Sequence, residues 1–450
     1  MNNTSDLTQG NISSQLLKLA LPLIATNFIQ VSYNLIDMIW IGRLGSEAVI
    51  SIGTAGFVLN MAVALFSVIV LGTGIKIAHA FGAKENSKMK QYIVNGYVMA
   101  FLLAVIYMVV TLVYRDEIIG FFHLNNADIE MMVEEYLIIS VVGTLFMFCN
   151  ALYSGIVNSL GNSQLSFKLN TVGFIVNMLL DPLLIFGVGG YLKLGIAGAA
   201  YATLIGRIIV FLLSLIVSRS IINQQKYKVN LDIEALKEVI KMGIPVGIQR
   251  VSFTFIGIIM ARVIANYGAI GIGVQKIGLQ IESLSFMTMA GLYGAMAAFI
   301  GQNYGAGHKD RIIQGYKQAL IFAVAFGGLT MALMLIYPAE IFGVFISDPA
   351  TIESGVSYLR IIGLSQIFMC VDIVTMGSFN GLGKTYIPAA VSLTFTTLRI
   401  PMAIGLSSYV GKELQGVWWS ISATSMIRGV VIVTLFTIII AKVSMDKAEE

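Results

Sequence analysis

Long apolar stretches, separated by short polar connections, dominate the pattern of this chain. A helix needs about 20 mostly apolar residues to cross the hydrocarbon core of a bilayer, and twelve stretches meet that length. They cover residues 16–40, 48–75, 92–113, 136–158, 166–188, 195–218, 240–265, 270–299, 317–337, 356–380, 386–408 and 416–441. The pattern therefore predicts an all-α integral membrane protein with twelve transmembrane helices.

The two halves of the chain repeat each other in an almost constant register. One and the same spacing separates Pro22 from Pro245, Gly82 from Gly305 and Glu130 from Glu353. After a slip of one residue, the new spacing relates Tyr136 to Tyr358, Asn158 to Asn380 and Gly161 to Gly383. The repeat predicts two pseudo-symmetric six-helix bundles, with residues 1–218 as an N-terminal lobe, 219–238 as a cytoplasmic linker and 239–450 as a C-terminal lobe. Parallel repeats of this kind are typical of transporters that open to the two sides in turn.

Composition and charge agree with a membrane protein and predict its orientation. Hydrophobic residues make up 57% of the chain and charged residues 12%, against about 25% charged residues in soluble domains. With a cytoplasmic N-terminus, the cytosolic connections hold fourteen Lys and Arg residues and the opposite connections hold four. This positive-inside bias predicts a multi-pass protein of the cell membrane with both termini in the cytoplasm.

The sequence offers no motif for nucleotide, metal or catalytic chemistry. Residues 381–385 (GLGKT) resemble a phosphate-binding loop, but Ser378 stands where its first Gly is required. Cys149 and Cys370 lie in apolar stretches and the three His residues are scattered. We therefore predict no metal or cofactor, no enzymatic activity and no nucleic-acid partner, and we expect an ion gradient to supply the energy.

Asp37 lies deep in the first predicted span, where a charged group is costly. Gln30, Asn34 and Asp37 follow one another at helical spacing and share one face, so this face must look at protein or water. The functional interpretation is a cation or proton site. The alternative is a structural cap or pair with a neighbouring helix.

The fifth span repeats this design, with Asn170, Asn177 and Asp181 on one face. Pro182 removes a backbone hydrogen bond beside Asp181, and freed carbonyls with a carboxylate and an amide suit a small cation or a proton. Desolvation and mutual repulsion would favour the protonated form of two buried carboxylates. A structural polar kink is the alternative.

The second half carries different polar residues. Met260 stands where the repeat places the counterpart of Asp37, and Gln275, Glu282 and Asp372 form a candidate second polar network. The alternative is a structural ion-pair network with the basic residues of this half, which include Arg399, and we interpret Arg207 and Arg428 as structural partners. Candidate cavity-lining residues are Gln30, Asn34, Met38, Met61, Phe286, Met287 and Met289; ordinary membrane core is the alternative for the apolar ones.

Four segments together resemble the multidrug and toxic compound extrusion (MATE) family, and the last two resemble its DinF-like bacterial branch. They are Pro22 with Asp37, NxxxDP at 177–182 with GIAGAAYAT at 195–203, GxQKIGLQIESLSFM at 273–287 and GQNYGAG at 301–307. The resemblance covers nearly the whole chain. It implies a two-lobed, twelve-helix antiporter that exports organic, often cationic compounds in exchange for protons or sodium ions.

The resemblance also implies roles for particular residues. Asp37, Asn177, Asp181 and Thr203 match the family's cation site in the N-terminal lobe, and Tyr136 matches a Tyr that joins it. Pro22 matches a proline at which the first helix can bend. The NorM-type branch has a Glu where this chain has Phe253, which argues against a NorM-type sodium site in the second lobe and favours protons over sodium at the first.

We therefore predict a secondary active efflux antiporter that works by alternating access, coupled to H+ or else Na+. Its expected partners are small organic substrates and membrane lipid, and we expect a monomer. A flippase for a lipid-linked or polysaccharide precursor, from the same superfamily, is the alternative. An integral membrane enzyme would need a catalytic cluster that the scattered His residues do not provide.

Overall fold

A computed structural model describes residues 5–187, 193–222, 231–409 and 413–442 of the chain. Within these ranges the fold consists of α-helices joined by short connections. The helices are α1 (Ile12–Gly42), α2 (Ser46–Gly82), α3 (Asn86–Val113), α4 (Arg115–Phe121), α5 (Ala127–Ser159), α6 (Ser163–Phe186), α7 (Gly195–Ile222), α8 (Ile233–Ala265), α9 (Ala269–Gly305), α10 (Lys309–Ile336), α11 (Pro338–Gly343), α12 (Pro349–Gly363), α13 (Gln366–Gly381), α14 (Tyr386–Tyr409) and α15 (Glu413–Lys442).

Eleven helices of the described chain are long and apolar enough to cross a membrane. A twelfth span is formed by α12 and α13 if this pair is counted as one, although it bends by 50° at the break. The predicted all-α, twelve-span fold is thereby confirmed. The helices are longer than the predicted apolar stretches because the polar residues at their ends are also helical. The short helices α4 and α11 were not predicted, because neither is long enough to cross a membrane.

The break between α12 and α13 lies at Leu364 and Ser365. The Ser365 hydroxyl donates to the carbonyl oxygen of Ile362 at 2.8 Å, which satisfies a carbonyl at the end of α12. A Cβ on Gly327 of α10 would lie 2.7 Å from the Cα of Ile367, so α10 packs directly against the start of α13. The sequence has no proline at this bend, and the apolar pattern predicted one continuous helix here.

Helix packing divides the chain into two compact units. The first unit contains Ala25–Phe81 and Glu85–Gly243, together with the segment before Leu7. The second unit contains Leu7–Ile24, Gly82–Lys84 and the chain from Ile244 onward. These bounds differ from the predicted lobes because the start of α1 packs within the second unit and the start of α8 within the first. Residues 223–230 of the predicted linker lie outside the described residues, and α7 and α8 extend into the rest of it.

The start of α8 joins the first unit through close backbone contacts with α2. A Cβ on Gly72 would lie 2.1 Å from the carbonyl oxygen of Val239, and one on Gly243 would lie 2.0 Å from that of Val68. Small residues permit such an approach between membrane helices. Gly72 and Gly243 therefore fix how α8 crosses α2.

The residues from Leu7 to the start of α1 join the second unit through polar contacts with the GQNYGAG segment and α10. The Leu7 backbone N–H donates to Oε1 of Gln302 at 3.0 Å, and the Leu7 carbonyl accepts from Nδ2 of Asn303 at 3.1 Å. Arg311 donates to the same carbonyl at 3.1 Å and to that of Gly10 at 3.0 Å. This segment of α9 and its neighbour α10 thus hold the chain ahead of α1.

We expect Arg311→Ala to loosen this N-terminal segment and to lower the free energy of unfolding by about 2 kcal/mol, because hydrogen bonds to a charged group are lost. Limited proteolysis at the N-terminus and thermal unfolding in detergent would measure both effects. Lys317→Ala, at an exposed position on the same helix, is the matched control. An Arg311→Ala variant that is cleaved no faster than the control would contradict this account of the segment.

Candidate functional site

The centre of the site is a pair of polar residues on α6. Asn177 and Asp181 are one helical turn apart, and Nδ2 of Asn177 donates to Oδ1 of Asp181 at 3.3 Å. Asp181 is fully buried and Asn177 nearly so. In an apolar helix such a pair is costly unless its polar atoms find partners, so its surroundings decide what it does.

Helix α7 brings Thr203 to this pair. A Cβ on Gly206 of α7 would lie 3.0 Å from the carbonyl oxygen of Gly173, so α6 and α7 touch at their backbones one turn beyond Thr203. As a result Nδ2 of Asn177 lies 3.2 Å from the Thr203 hydroxyl and donates to it. The amide N–H groups of Asn177 therefore have acceptors on both helices.

Helix α1 reaches the same place through Tyr33. The hydroxyl oxygens of Tyr33 and Thr203 are 3.1 Å apart, at hydrogen-bond distance. The Tyr33 ring stacks on Phe174 of α6 with 5.4 Å between ring centroids. Asp37 follows Tyr33 by one turn on the same helix, which directs both side chains toward one face.

Asp37, Tyr136 of α5 and Arg207 of α7 complete the charge pattern. Asp37 and Asp181 are near enough to repel each other electrostatically. Tyr136 is buried and interacts with Asp37, Asp181 and Arg207. The site thus contains two carboxylates and one guanidinium, and no ion pair with Arg207 is formed among the residues that the structure describes.

Three acceptor oxygens in this site have no hydrogen-bond donor among the described residues. They are Oδ1 of Asp37, Oδ1 of Asn177 and Oδ2 of Asp181, and all three atoms are buried. An unsatisfied buried acceptor costs about 1–3 kcal/mol, and more when it carries charge. A proton on a carboxylate, or a small cation that accepts oxygen ligands, would satisfy these atoms.

The structure brings the five predicted cation-site residues into one network and leaves others outside it. Asp37, Asn177, Asp181, Thr203 and Tyr136 belong to the first unit. Gln30 and Asn34, on the first helix, are exposed. Pro22 lies inside α1 but in the part of that helix that packs with the second unit.

The predicted second polar network, in the second unit, contains two close side-chain pairs. Nη2 of Arg428 lies 2.6 Å from Oδ2 of Asp372, and both side chains are buried. Glu282 accepts a hydrogen bond from the hydroxyl of Tyr358, whereas Oε1 of Gln275 is buried without a donor among the described residues. The contact of Asp372 is thus the ion pair with Arg428, as the alternative, structural interpretation predicted.

The predicted cavity-lining residues divide by burial. Met38, Met61 and Phe286 are exposed and Met287 is partly buried. Met289 is a correction, because only 3% of its surface is exposed and it belongs to the core of the second unit. It follows Phe286 by three residues, and the helix turns it toward α1 and the neighbouring helices of that core.

Sequence reasoning missed two contributors. Tyr33 precedes Asp37 by four residues, so the helical spacing that grouped Gln30, Asn34 and Asp37 could have included it. Tyr358, the partner of Glu282, was visible only as the repeat mate of Tyr136. Neither hydroxyl stands out by composition in a chain with 18 Tyr residues.

Comparison with known families decides what this fold is. The MatE family model matches residues 22–183 and 245–405, which is most of the chain and one match in each half. The chain belongs to the MATE family. Members of this family are membrane transporters, and the two matched segments begin at the repeat-related prolines Pro22 and Pro245. The assignment to the DinF-like branch stays a prediction.

Known MATE proteins align with this chain over nearly its whole length. It is 26% identical over 420 residues to "Probable multidrug resistance protein NorM" of Thermotoga maritima, covering 93% of this chain and 90% of that protein. It is 25% identical over 405 residues to "Probable multidrug resistance protein YoeA" of Bacillus subtilis, covering 88% and 87%. A solved outward-facing multidrug resistance MATE transporter of the MOP superfamily superposes with a TM-score of 0.87 at 21% identity, covering 98% of both chains.

Proposed function

We propose that this MATE protein is a secondary active antiporter of the cell membrane that exports small organic, often cationic compounds in exchange for protons or sodium ions. The observation that carries the proposal is the set of three buried acceptor oxygens without donors on Asp37, Asn177 and Asp181. A site of this kind gains stability when a proton or a small cation enters it and loses that stability when the cation leaves. The names of the relatives, which describe multidrug resistance proteins, support the class of exported compound.

Helix α1 is the element through which cation binding would act. Asp37 and Pro22 both lie inside this helix, and the division between the two compact units falls between them, at Ile24 and Ala25. A proline removes one helical hydrogen bond and lowers the cost of bending. Neutralisation of Asp37 by a cation would therefore favour a bend of α1 near Pro22.

The coupling must be strong enough to move the population of conformations. A cation that shifts a two-state equilibrium from 1:99 to 99:1 needs an affinity difference of roughly 10⁴-fold, or about 5.5 kcal/mol. Two repelling carboxylates and an unsatisfied amide oxygen can supply much of this difference in a site sheltered from water.

The orientation in this proposal follows from the positive-inside bias of the connections, which predicts that both termini lie in the cytoplasm.

Transport by the purified protein in lipid vesicles tests the proposal. Ethidium is loaded as the organic cation, and a proton gradient and a sodium gradient are imposed separately. We expect one of the two ion gradients to drive ethidium in the direction opposite to the ion. This flux should be lost when an ionophore dissipates that ion gradient. Absence of flux under both gradients, with protein that is folded and inserted, would contradict the antiporter proposal.

Thr203→Val is expected to weaken cation affinity roughly tenfold, because a loss of about 1–2 kcal/mol follows when the hydroxyl that contacts Asn177 and Tyr33 is removed. The side chain keeps its shape, so packing is preserved. Ion-concentration dependence of ethidium flux measures the change. Thr171→Val, which removes a hydroxyl bonded within its own helix, should leave the dependence unaltered; equal effects of the two variants would count against a role for Thr203.

A further inference from the structure

The internal repeat permits a residue-by-residue comparison of the cation site with its counterpart in the second unit. The register that pairs Gly161 with Gly383 continues without a gap into α6 and α14 and pairs Leu184 with Leu406. The contacts at the far ends of these helices agree with it. A Cβ on Gly198 of α7 would lie 2.4 Å from the Leu184 carbonyl oxygen, and one on Gly416 of α15 would lie 2.7 Å from the carbonyl carbon of Leu406.

In this register Arg399 stands at the position of Asn177, and the helix contact is the same in both units. In the first unit a Cβ on Gly206 of α7 would lie 3.5 Å from the Cβ of Asn177. In the second unit Arg399 of α14 donates from Nε to the Thr424 hydroxyl at 3.1 Å and from Nη2 to the Ser425 hydroxyl, also at 3.1 Å. Thr424 follows Gly416 at the same distance along the helix as Gly206 follows Gly198, so Thr424 is the repeat mate of Gly206.

The acidic residues of the first site are replaced as well. The repeat mate of Asp181 is Ala403 and that of Asp37 is Met260, and both are buried. One carboxylate of the second unit, that of Glu282 on α9, accepts from Tyr358, the repeat mate of Tyr136. Arg399 lies within electrostatic range of Glu282 and also of the buried ion pair between Asp372 and Arg428.

We propose that the guanidinium of Arg399 occupies, in the second unit, the place that the coupling cation takes in the first. A guanidinium is always charged and donates to several oxygens in fixed geometry, so the second unit carries a permanent cation and exchanges none. The inference rests on the proposed function, since it assigns ion exchange to the first unit alone. It makes Arg399 the residue that limits the transporter to one exchangeable cation site.

Thermal unfolding of the purified protein in sodium chloride and in choline chloride of equal ionic strength tests this proposal. Arg399→Asn, which restores the residue of the first unit, should unfold at a lower temperature and should be restabilised by sodium more than by choline, because the small cation can enter the vacated place beside Glu282. Arg399→Lys keeps the positive charge and should therefore show no preference for sodium, even if the loss of the two hydrogen bonds lowers its stability. Adding Glu282→Gln to Arg399→Asn should recover stability and remove the preference for sodium.

The variants are made in the Asp37→Asn/Asp181→Asn background, which removes both carboxylates of the first site, so that the response of the second unit is read alone. A sodium response of the wild type that survives in this background, with Arg399 intact, would contradict the proposed function of the first site. The preference of Arg399→Asn for sodium is then measured as the increase over that background. The inference is overturned if Arg399→Asn shows no preference for sodium, or if Glu282→Gln fails to rescue an unstable Arg399→Asn protein. If Arg399→Asn does not fold in either salt, recovery of folding by the added Glu282→Gln would support the inference, because that second change removes only the unbalanced charge.

Discussion

Replacement of Asp37 by Asn is expected to reduce ion-driven ethidium flux more than tenfold while the protein remains folded. Asn preserves the shape of the side chain but binds no proton and carries no charge. The lost interaction between a carboxylate and a cation is worth about 1.5–3 kcal/mol or more in a buried site, and each 1.4 kcal/mol is a factor of about ten in affinity. The measurement is flux at saturating and at limiting ion gradient, with wild type and variant reconstituted at equal density.

Asp128→Asn is the matched control for this variant. Asp128 is an exposed carboxylate at the start of α5 in the same unit, and it is remote in sequence from Asp37 and Asp181. Its flux should equal that of the wild type. Wild-type flux and unchanged ion dependence in Asp37→Asn would show that the first-unit carboxylate is not involved in coupling.

Replacement of Arg428 by Met is expected to cost about 3–5 kcal/mol of unfolding free energy, the largest stability effect that we predict, because an uncompensated buried charge is strongly destabilising. The change leaves the fully buried Asp372 without its ion-pair partner. Equilibrium unfolding in detergent measures the loss. The double variant Arg428→Met/Asp372→Asn should recover most of it, because no charge is left unpaired.

An exposed ion pair provides the control for Arg428. Nζ of Lys88 lies 3.1 Å from a Glu85 carboxylate oxygen, and both side chains are largely exposed. Such pairs contribute about 0–1 kcal/mol, so Lys88→Met should change stability little. If Arg428→Met were equally mild, the buried pair would not be the structural anchor of α13 and α15.

The fold could be predicted from the sequence almost completely because membrane helices require long apolar runs, and no other pattern produces twelve of them. The break between α12 and α13 could not, since Leu364 is apolar and a single Ser such as Ser365 is common inside membrane helices. At the break, Gly327 of α10 packs against the start of α13. Packing between helices that are distant in sequence cannot be read from the local apolar pattern. For the same reason, the sequence did not predict that the start of α1 packs within the second unit and the start of α8 within the first.

The candidate site was partly visible because carboxylates in apolar helices are rare and costly. Asp37, Asn177 and Asp181 could be found in this way, and their grouping followed from helical spacing. Thr203 was predicted only through the family resemblance, and Tyr33 was missed, because hydroxyl groups in membrane helices commonly bond their own backbone. Their roles depend on the contact between α6 and α7 and on the approach of α1.

Arg399 shows the limit of sequence reading in the second half. As one of several basic residues it suggested a general ion-pair network, whereas its equivalence to Asn177 becomes informative only with the contacts to Thr424 and Ser425. The repeat predicts a shared frame for the two units. The chemistry placed on that frame is oxygen-rich and acidic in one unit and charge-balanced in the other.

Cation movement driven by substrate tests the central claim, that Asp37 and Asp181 bind the coupling cation. Vesicles containing the protein and a trapped pH-sensitive or sodium-sensitive dye are given an inward ethidium gradient. We predict outward movement of protons or sodium in the wild type and in Asp128→Asn, and none in Asp37→Asn/Asp181→Asn. Equal cation movement per ethidium in the double variant and the wild type would contradict the claim.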